Sequence, residues 1–112
     1  MLTIKLHTDP YALRLRLSGH AGAGKWGKDI VCAAASILAY TAAASAGQLY
    51  REGKLKAAPH IRLLPGDALV EMEACSEAEG LVNVIRNGYT MLALRYPEYV
   101  KLEERTIYDE KS

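Results

Sequence analysis

Apolar and polar residues alternate along three short segments of the chain, and a fourth segment shares a turn with one of them. Residues 2–7 (LTIKLH) and 13–17 (LRLRL) alternate with a period of two, and an Asp-Pro pair stands between them. Residues 60–64 and 69–74 repeat this arrangement around the triplet Pro-Gly-Asp. A period of two is typical of a strand with one buried face, and the intervening residue types favour turns. The pattern therefore predicts two β-hairpins.

A segment with helical features follows each hairpin. Asp29 is an N-cap residue type, and the chain after it carries no charge as far as Tyr50. The second segment begins at Ser76, where Glu79 three residues later would complete a capping box, and Pro97 ends it. Its apolar residues recur every three or four positions, as in a helix with one buried stripe: Ala78, Val82, Ile85, Tyr89, Leu92 and Tyr96.

The order strand, strand, helix thus occurs twice and predicts an α+β fold, in which an antiparallel sheet packs against two helices. Residues 99–105 alternate weakly and would add an edge strand. The chain has 112 residues, half of them hydrophobic, which is enough for one core and too few for two domains. We therefore expect a single domain over residues 1–112.

The uncharged segment over residues 30–50 is long enough to span a bilayer. Its composition argues against that role, because Ala, Ser, Thr, Gly and Gln dominate it and alanine gains little from leaving water. A helix buried on most of its circumference is the favoured interpretation. Its small side chains would allow close packing, either in a dimer or within the chain against the second helix at Gly88.

Charge and cysteine content narrow the classes of partner. The net charge is +1 and the basic residues are scattered, whereas proteins that bind nucleic acid or anionic membranes carry a basic excess. Cys32 and Cys75 are far apart, and the N-terminal residues lack the apolar core of a signal peptide, so free thiols in a reducing cytoplasm are expected. The cysteines and histidines include no close ligand pair, and neither a metal nor a cofactor is predicted.

Residues 19–25 read GHAGAGK and match the spacing of a phosphate-binding loop. That loop needs a serine or threonine after the lysine to hold Mg²⁺, and a helix that starts there so that its amides face the phosphates. Trp26 occupies that position, and the predicted helix starts only near Asp29. Nucleotide binding is therefore disfavoured, and Lys25 and Lys28 are most simply solvated loop charges.

The flanks of this glycine-rich segment carry a candidate nucleophile and its base. With Asp29 as N-cap, Cys32 falls in the first helical turn, where free amides and the positive helix end favour a thiolate. His20 follows the second strand, and a bend in the loop would bring its imidazole to the sulfur. Such a pair supplies both the attack and the return of a proton to a leaving amine. Ser36 lies one turn after Cys32 and could donate to a substrate carbonyl, and nearby amides could hold an oxyanion.

Each of these residues also has a structural explanation. Cys32 alone would be an inert core thiol, since free cysteine is among the most buried residue types, and His20 alone would be a surface or packing histidine. Asp29 could act only as the helix cap or could also orient His20. Ser36 could bond back to its own helix. Taken singly, the residues do not decide between these interpretations.

Taken together, residues 19–36 (GHAGAGKWGKDIVCAAAS) closely resemble the signature of the ribosomal-processing cysteine proteases called Prp. A Gly-His pair, a glycine-containing loop and the helix start D-I-V-C-A-A-x-S recur in that family at this spacing. The resemblance implies a small α+β cysteine protease with His20 as catalytic histidine, Cys32 as nucleophile, and Asp29 and Ser36 as supporting residues. It also implies a homodimer that removes a short N-terminal extension from a large-subunit ribosomal protein, cutting after a hydrophobic stretch that contains phenylalanine.

The resemblance also gives the glycine-rich loop a role in substrate binding. Gly22, Gly24 and Gly27 would let the loop close over the bound segment and open to release it. Trp26 would pack on an apolar substrate side chain, although simple anchoring of the loop explains it equally well.

Two other classes of function remain open at this point. A non-catalytic ribosome-assembly or binding protein with the same fold would leave Cys32 an ordinary buried thiol. A transferase or redox protein would need a resolving partner for Cys32, and Cys75 is the one other cysteine in the sequence.

Overall fold

The computed structural model describes residues 1–22 and 29–108. Its strands and helices follow in the order β1 (Leu2–Thr8), β2 (Ala12–Ser18), α1 (Ile30–Arg51), β3 (His60–Leu64), β4 (Asp67–Glu73), α2 (Ser76–Arg95) and β5 (Val100–Thr106). Both predicted hairpins, both predicted helices and the additional edge strand are confirmed. The α+β fold expected from the sequence is therefore correct.

The five strands form one sheet in the order β3-β4-β2-β1-β5. Strands β1 to β4 pair antiparallel with one another, as predicted, but β5 runs parallel to β1. The sheet is therefore mixed and not wholly antiparallel. Parallel strands need a crossover connection, and each helix supplies one, α1 between β2 and β3 and α2 between β4 and β5. Weak alternation predicts that a strand exists but not its direction, which explains the difference.

Both helices pack on one face of the sheet and close the core. Alternate strand residues are buried there, among them Ile4, Leu15 and Val70. Five of the six buried residues of α1 are alanines, and these small side chains let the helix lie close to its neighbours. At the crossing with α2, a Cβ atom on Gly88 would stand 2.8 Å from Leu38 Cδ2. Helices α1 and α2 therefore pack closely against each other at Gly88, within the chain.

Helix α1 is long and apolar enough to cross a bilayer, by length and composition alone. In the fold, 33% of its most apolar stretch is buried, and the helix packs against α2 and β4. The expectation that α1 is buried on most of its circumference is therefore wrong, because the helix buries one alanine-rich face and leaves Ile37 and Tyr50 exposed.

The start of α2 differs from the predicted capping box. Cys75 is the N-cap, and its sulfur accepts a hydrogen bond from the Ala78 N–H at 3.4 Å. Ser76 is instead the first helical residue, and its hydroxyl donates to the Glu77 carboxylate at 3.1 Å. The prediction of a box between Ser76 and Glu79 is wrong, because α2 begins one residue earlier than that box requires.

Tyr89 joins the two helices in the centre of the core. Its side chain is 0% exposed, and its hydroxyl donates to the main-chain carbonyl of Ala35 at 2.9 Å. Burial raises the pKa of Tyr89 above its ordinary value. Because Ala35 lies between Cys32 and Ser36 in α1, this contact holds the part of the helix that carries the candidate catalytic residue.

Replacing Tyr89 by phenylalanine removes this hydrogen bond and keeps the ring. The Ala35 carbonyl retains its helical donor, so we expect Tyr89→Phe to lower the free energy of unfolding by about 1 kcal/mol. Urea denaturation at neutral pH measures this difference. Tyr11→Phe is the control, because Tyr11 is 84% exposed and its replacement should leave the free energy unchanged. Equal stability of wild type and Tyr89→Phe would contradict the role given to the hydroxyl.

The raised pKa of Tyr89 also predicts a loss of stability at alkaline pH. Above pH ~10, the ordinary tyrosine value, the unfolded chain releases the Tyr89 proton while the folded chain keeps it. The unfolded state then binds fewer protons, so this residue lowers the free energy of unfolding by up to about 1.4 kcal/mol per pH unit. Tyr89→Phe has no such proton, and its deficit relative to wild type should shrink as urea titrations are moved to higher alkaline pH. A deficit that stays constant would count against the prediction.

Candidate active site

A cavity of about 290 Å³ opens at one end of the sheet. Three parts of the chain meet around it: the start of β1 with the end of β2, the first turns of α1, and the turn between β3 and β4. Three of the residues expected from the sequence, His20, Cys32 and Ser36, lie around this common space. The described lining consists of Leu2, Leu17, Gly19, His20, Cys32, Ala35, Ser36, Tyr40, Leu64, Pro65, Gly66, Asp67 and Ala68.

Cys32 lies in the first turn of α1, and Asp29 places it there. The Asp29 side chain accepts hydrogen bonds from the N–H groups of Val31 and Cys32, both at 3.0 Å. Its carbonyl accepts the Ala33 N–H at 3.1 Å. Asp29 is thus the N-cap of α1, as predicted. Because all three of these amides are engaged, they are not free to hold an oxyanion, which corrects the expectation for the amides beside Cys32.

The sulfur of Cys32 contacts the segment that follows β2. It accepts a hydrogen bond from the Ala21 N–H at 3.2 Å, and the cysteine is half-buried and unbridged. Ala21 is itself buried, so this donor is shielded from water. Because Ala21 follows His20 directly, the bond brings the histidine segment to the candidate nucleophile. No side-chain pattern in the sequence could have predicted it, since the donor is a main-chain group.

The imidazole of His20 lies beside the turn between β3 and β4. A Cβ atom on Gly66 would stand 2.8 Å from the ring Nε2 atom. The structure describes both His20 and Cys32, and between these two side chains it shows a shared cavity but no hydrogen bond. Catalytic hydrogen bonds often tighten only when substrate binds. The two groups are therefore brought to one space, and a hydrogen bond between them is not formed in this conformation.

A main-chain hydrogen bond ties the histidine segment to this turn. The Gly19 N–H donates to the Gly66 carbonyl at 3.0 Å. Gly19 has a φ of +88°, and a Cβ atom on it would stand 2.6 Å from the Met1 carbonyl oxygen. A residue with a side chain fits neither this conformation nor this space. The position that precedes His20 is therefore closely determined.

Ser36 and Tyr40 extend the wall of the cavity along α1. They follow Cys32 at intervals of four residues and so share its face of the helix. That spacing could have identified Tyr40 from the sequence. Residues 64–67 carry no such signal, because they come from the second hairpin and reach the site only through the pairing of β4 with β2.

Asp67 brings a carboxylate to the cavity. It accepts hydrogen bonds from Arg62 Nε at 2.9 Å and Arg62 Nη2 at 3.1 Å. This pairing lowers the pKa of Asp67, so the side chain is ionised at neutral pH and its charge is balanced by the arginine.

The remaining candidates lie partly outside the described residues. Gly22 is exposed and has a φ of +70°. The other members of the expected substrate loop, Gly24, Trp26 and Gly27, lie outside the described residues, as do Lys25 and Lys28. Closure of the loop over a bound segment therefore stays a prediction.

Cys75 has a structural position, as the N-cap of α2, and is not among the described residues that line the cavity. Both cysteines are free.

Within residues 1–22 and 29–108, no three His, Cys, Asp or Glu side chains are grouped so that they could hold a metal ion.

Solved Prp structures have the same fold as this chain. The chain is similar to the essential ribosomal processing protease Prp from S. aureus, solved with a covalently linked product peptide. The TM-score is 0.75 at 20% sequence identity, and the match covers 94% of this chain and 100% of that one. The same protease with a substrate peptide has a TM-score of 0.65 at 18% identity, with the same coverage. SMU.848 from Streptococcus mutans has a TM-score of 0.69 at 24% identity over 96% of both chains.

At the level of sequence, no curated protein matches the chain. The family model for cysteine protease Prp does match, over residues 1–101. That range includes all of the residues that the structure describes around the cavity. The chain therefore belongs to the Prp family and is a cysteine protease.

Proposed function

We propose that this protease cleaves peptide bonds with Cys32 as nucleophile and His20 as its base and acid. The observation that supports this most directly is the cavity that both side chains line, with the thiol in the first turn of α1. The sulfur attacks the carbonyl carbon, and the imidazole takes the thiol proton and returns it to the leaving amine. Water then hydrolyses the thioester and releases the second product.

Two hydrogen-bond donors are our candidates for stabilising the oxyanion that forms in this attack. The Ala21 N–H is directed at the sulfur, and the oxygen of a carbonyl carbon bonded to that sulfur comes within reach of it. The Ser36 hydroxyl lines the same cavity. Unlike the amides that Asp29 holds, the Ala21 N–H is hydrogen-bonded to the reacting sulfur itself, so it can shift to the adjoining oxygen when the oxyanion forms.

We infer that the substrate is the N-terminal extension of a large-subunit ribosomal protein, cut after an apolar stretch. The S. aureus relative is described as a ribosomal processing protease and was solved with product and substrate peptides. Here the cavity presents apolar side chains, and such walls favour apolar substrate groups. They come from Leu2, Leu17, Tyr40, Leu64 and Ala68.

A homodimer in the cytoplasm is the form that we propose for the enzyme. Apolar side chains on the outer faces of both helices support association with a second copy. Ile37 of α1 and Val84, Met91 and Leu94 of α2 are each at least 60% exposed. The two free cysteines and a ribosomal substrate both agree with a reducing compartment.

Cleavage of the extended ribosomal protein, followed by intact mass, tests the catalytic pair. Wild type should remove the extension at one peptide bond. We expect Cys32→Ala and His20→Ala each to slow cleavage by at least about 10³-fold, since members of a catalytic unit are individually required. Cys75→Ser is the matched control and should cleave like wild type, because serine can replace the sulfur as N-cap.

Two results would contradict this assignment in different ways. Cleavage by Cys32→Ala at the wild-type rate would remove Cys32 as the nucleophile. No cleavage by folded wild type, together with rapid alkylation of Cys32, would keep the protease and exclude this ribosomal protein as its substrate.

Substitutions at Asp29 separate its role as helix cap from a role of its charge. Asparagine still accepts N–H bonds at an N-cap and alanine does not. A negative charge beside a thiolate opposes the thiolate, so we expect the cap to be the main role. Asp29→Asn should then keep kcat/KM within about threefold, while Asp29→Ala lowers the free energy of unfolding by about 1 kcal/mol. A large loss of kcat in Asp29→Asn at unchanged stability would instead indicate that the carboxylate orients His20.

A further inference from the structure

The turn between β3 and β4 lies against the ring of His20 through a residue without a side chain. Gly66 has a φ of +71°. A Cβ atom on it would stand 2.8 Å from His20 Nε2, 3.1 Å from Cε1 and 3.5 Å from Cδ2. The first two distances are shorter than an ordinary van der Waals contact. A side chain at position 66 would therefore clash with the imidazole where the ring now lies.

The turn is held more firmly than the ring. The Gly66 carbonyl accepts the Gly19 N–H at 3.0 Å, and Leu64 pairs with Asp67 across the hairpin. His20, in contrast, is an exposed residue outside the strands and helices, and its ring can rotate about the side-chain bonds. A methyl group at position 66 would therefore displace the ring and leave the turn in place.

We propose that Gly66 is a positioning residue for His20: because it has no side chain, it leaves the imidazole its place in the cavity beside Cys32. This inference rests on the catalytic role proposed for His20 and adds the residue that determines where the ring stands. Position is important because a misplacement of about 1 Å can reduce turnover by about 10²-fold. The second hairpin thereby acts on catalysis without contributing a reacting group.

Gly53 provides a matched control for Gly66. Its φ of +76° is close to that of Gly66, and a Cβ atom on it would meet nothing within 4 Å. Alanine at either position has to adopt the same unfavourable left-handed backbone. Of the two, only alanine at position 66 also meets His20. The difference between Gly66→Ala and Gly53→Ala therefore isolates the contact with the ring.

The first test is turnover of a quenched fluorescent peptide that spans the cleavage junction of the extended ribosomal protein. We expect Gly66→Ala to lower kcat by about 10- to 100-fold relative to Gly53→Ala, with little change in KM, because the apolar walls that bind the peptide are untouched. Both variants should lower the melting temperature by a similar amount in thermal unfolding. Equal kcat values for the two variants would overturn the proposal.

Alkylation of Cys32 by iodoacetamide tests the same contact without a substrate. Peptide mass spectrometry follows Cys32, and Cys75 serves as the reference thiol in the same sample. At neutral pH, Gly66→Ala and His20→Ala should both alkylate more slowly than Gly53→Ala. The double variant Gly66→Ala/His20→Ala should react no more slowly than His20→Ala, since a residue that acts through the ring has no effect once the ring is gone.

These measurements distinguish failure of the inference from failure of the proposed function. If His20→Ala cleaves and alkylates like wild type, the catalytic role of His20 is wrong, and the positioning role of Gly66 is wrong with it. If His20→Ala is impaired while Gly66→Ala matches Gly53→Ala, the role of His20 stands and the positioning role is overturned. A further loss from Gly66→Ala in the His20→Ala background also overturns it, because Gly66 would then act on another group.

Discussion

The hydrogen bonds that the Asp29 side chain accepts from Val31 and Cys32 determine how the first turn of α1 is built. Asp29 satisfies these amides, and the sulfur of Cys32 accepts the Ala21 N–H from the segment after β2. The helix and that segment therefore meet at this thiol. Tyr89 holds the same part of α1 from the core side, through the carbonyl of Ala35, so the thiol is supported from two directions.

On the other side of the cavity, glycine allows the main chain to approach its neighbours closely. Gly19 and Gly66 are joined by a hydrogen bond, and both have positive φ. A Cβ atom would stand within 2.8 Å of the Met1 carbonyl in one case and of the His20 ring in the other. This bond joins the two hairpins at the same end of the sheet. The cavity is thus shaped by main-chain contacts as much as by the side chains that carry its chemistry.

Local sequence pattern was sufficient for most of the fold and for the half of the site that lies near Cys32 in sequence. Alternation located β1, β2 and β4, which each bury alternate residues. The turn after residues 60–64 located β3, and Asp29 located the start of α1. The parallel pairing of β5 and the contribution of Gly66 were not predictable in this way, because both depend on which strands become neighbours. The N-cap of α2 was missed for another reason: Cys75 and Ser76 are adjacent, and serine is the preferred residue type.

The two cysteines lie at the starts of the two helices but make different contacts. Cys32 and Cys75 both lie at the beginning of a long helix, and each sulfur accepts one main-chain N–H. The donor to Cys75 is Ala78 of its own helix, so that sulfur completes the helix end. The donor to Cys32 comes from another part of the chain, and Cys32 lines a cavity shared with His20. Cys75 therefore completes the end of its own helix, whereas Cys32, inside the first turn behind a separate cap, contacts another segment and lines the cavity.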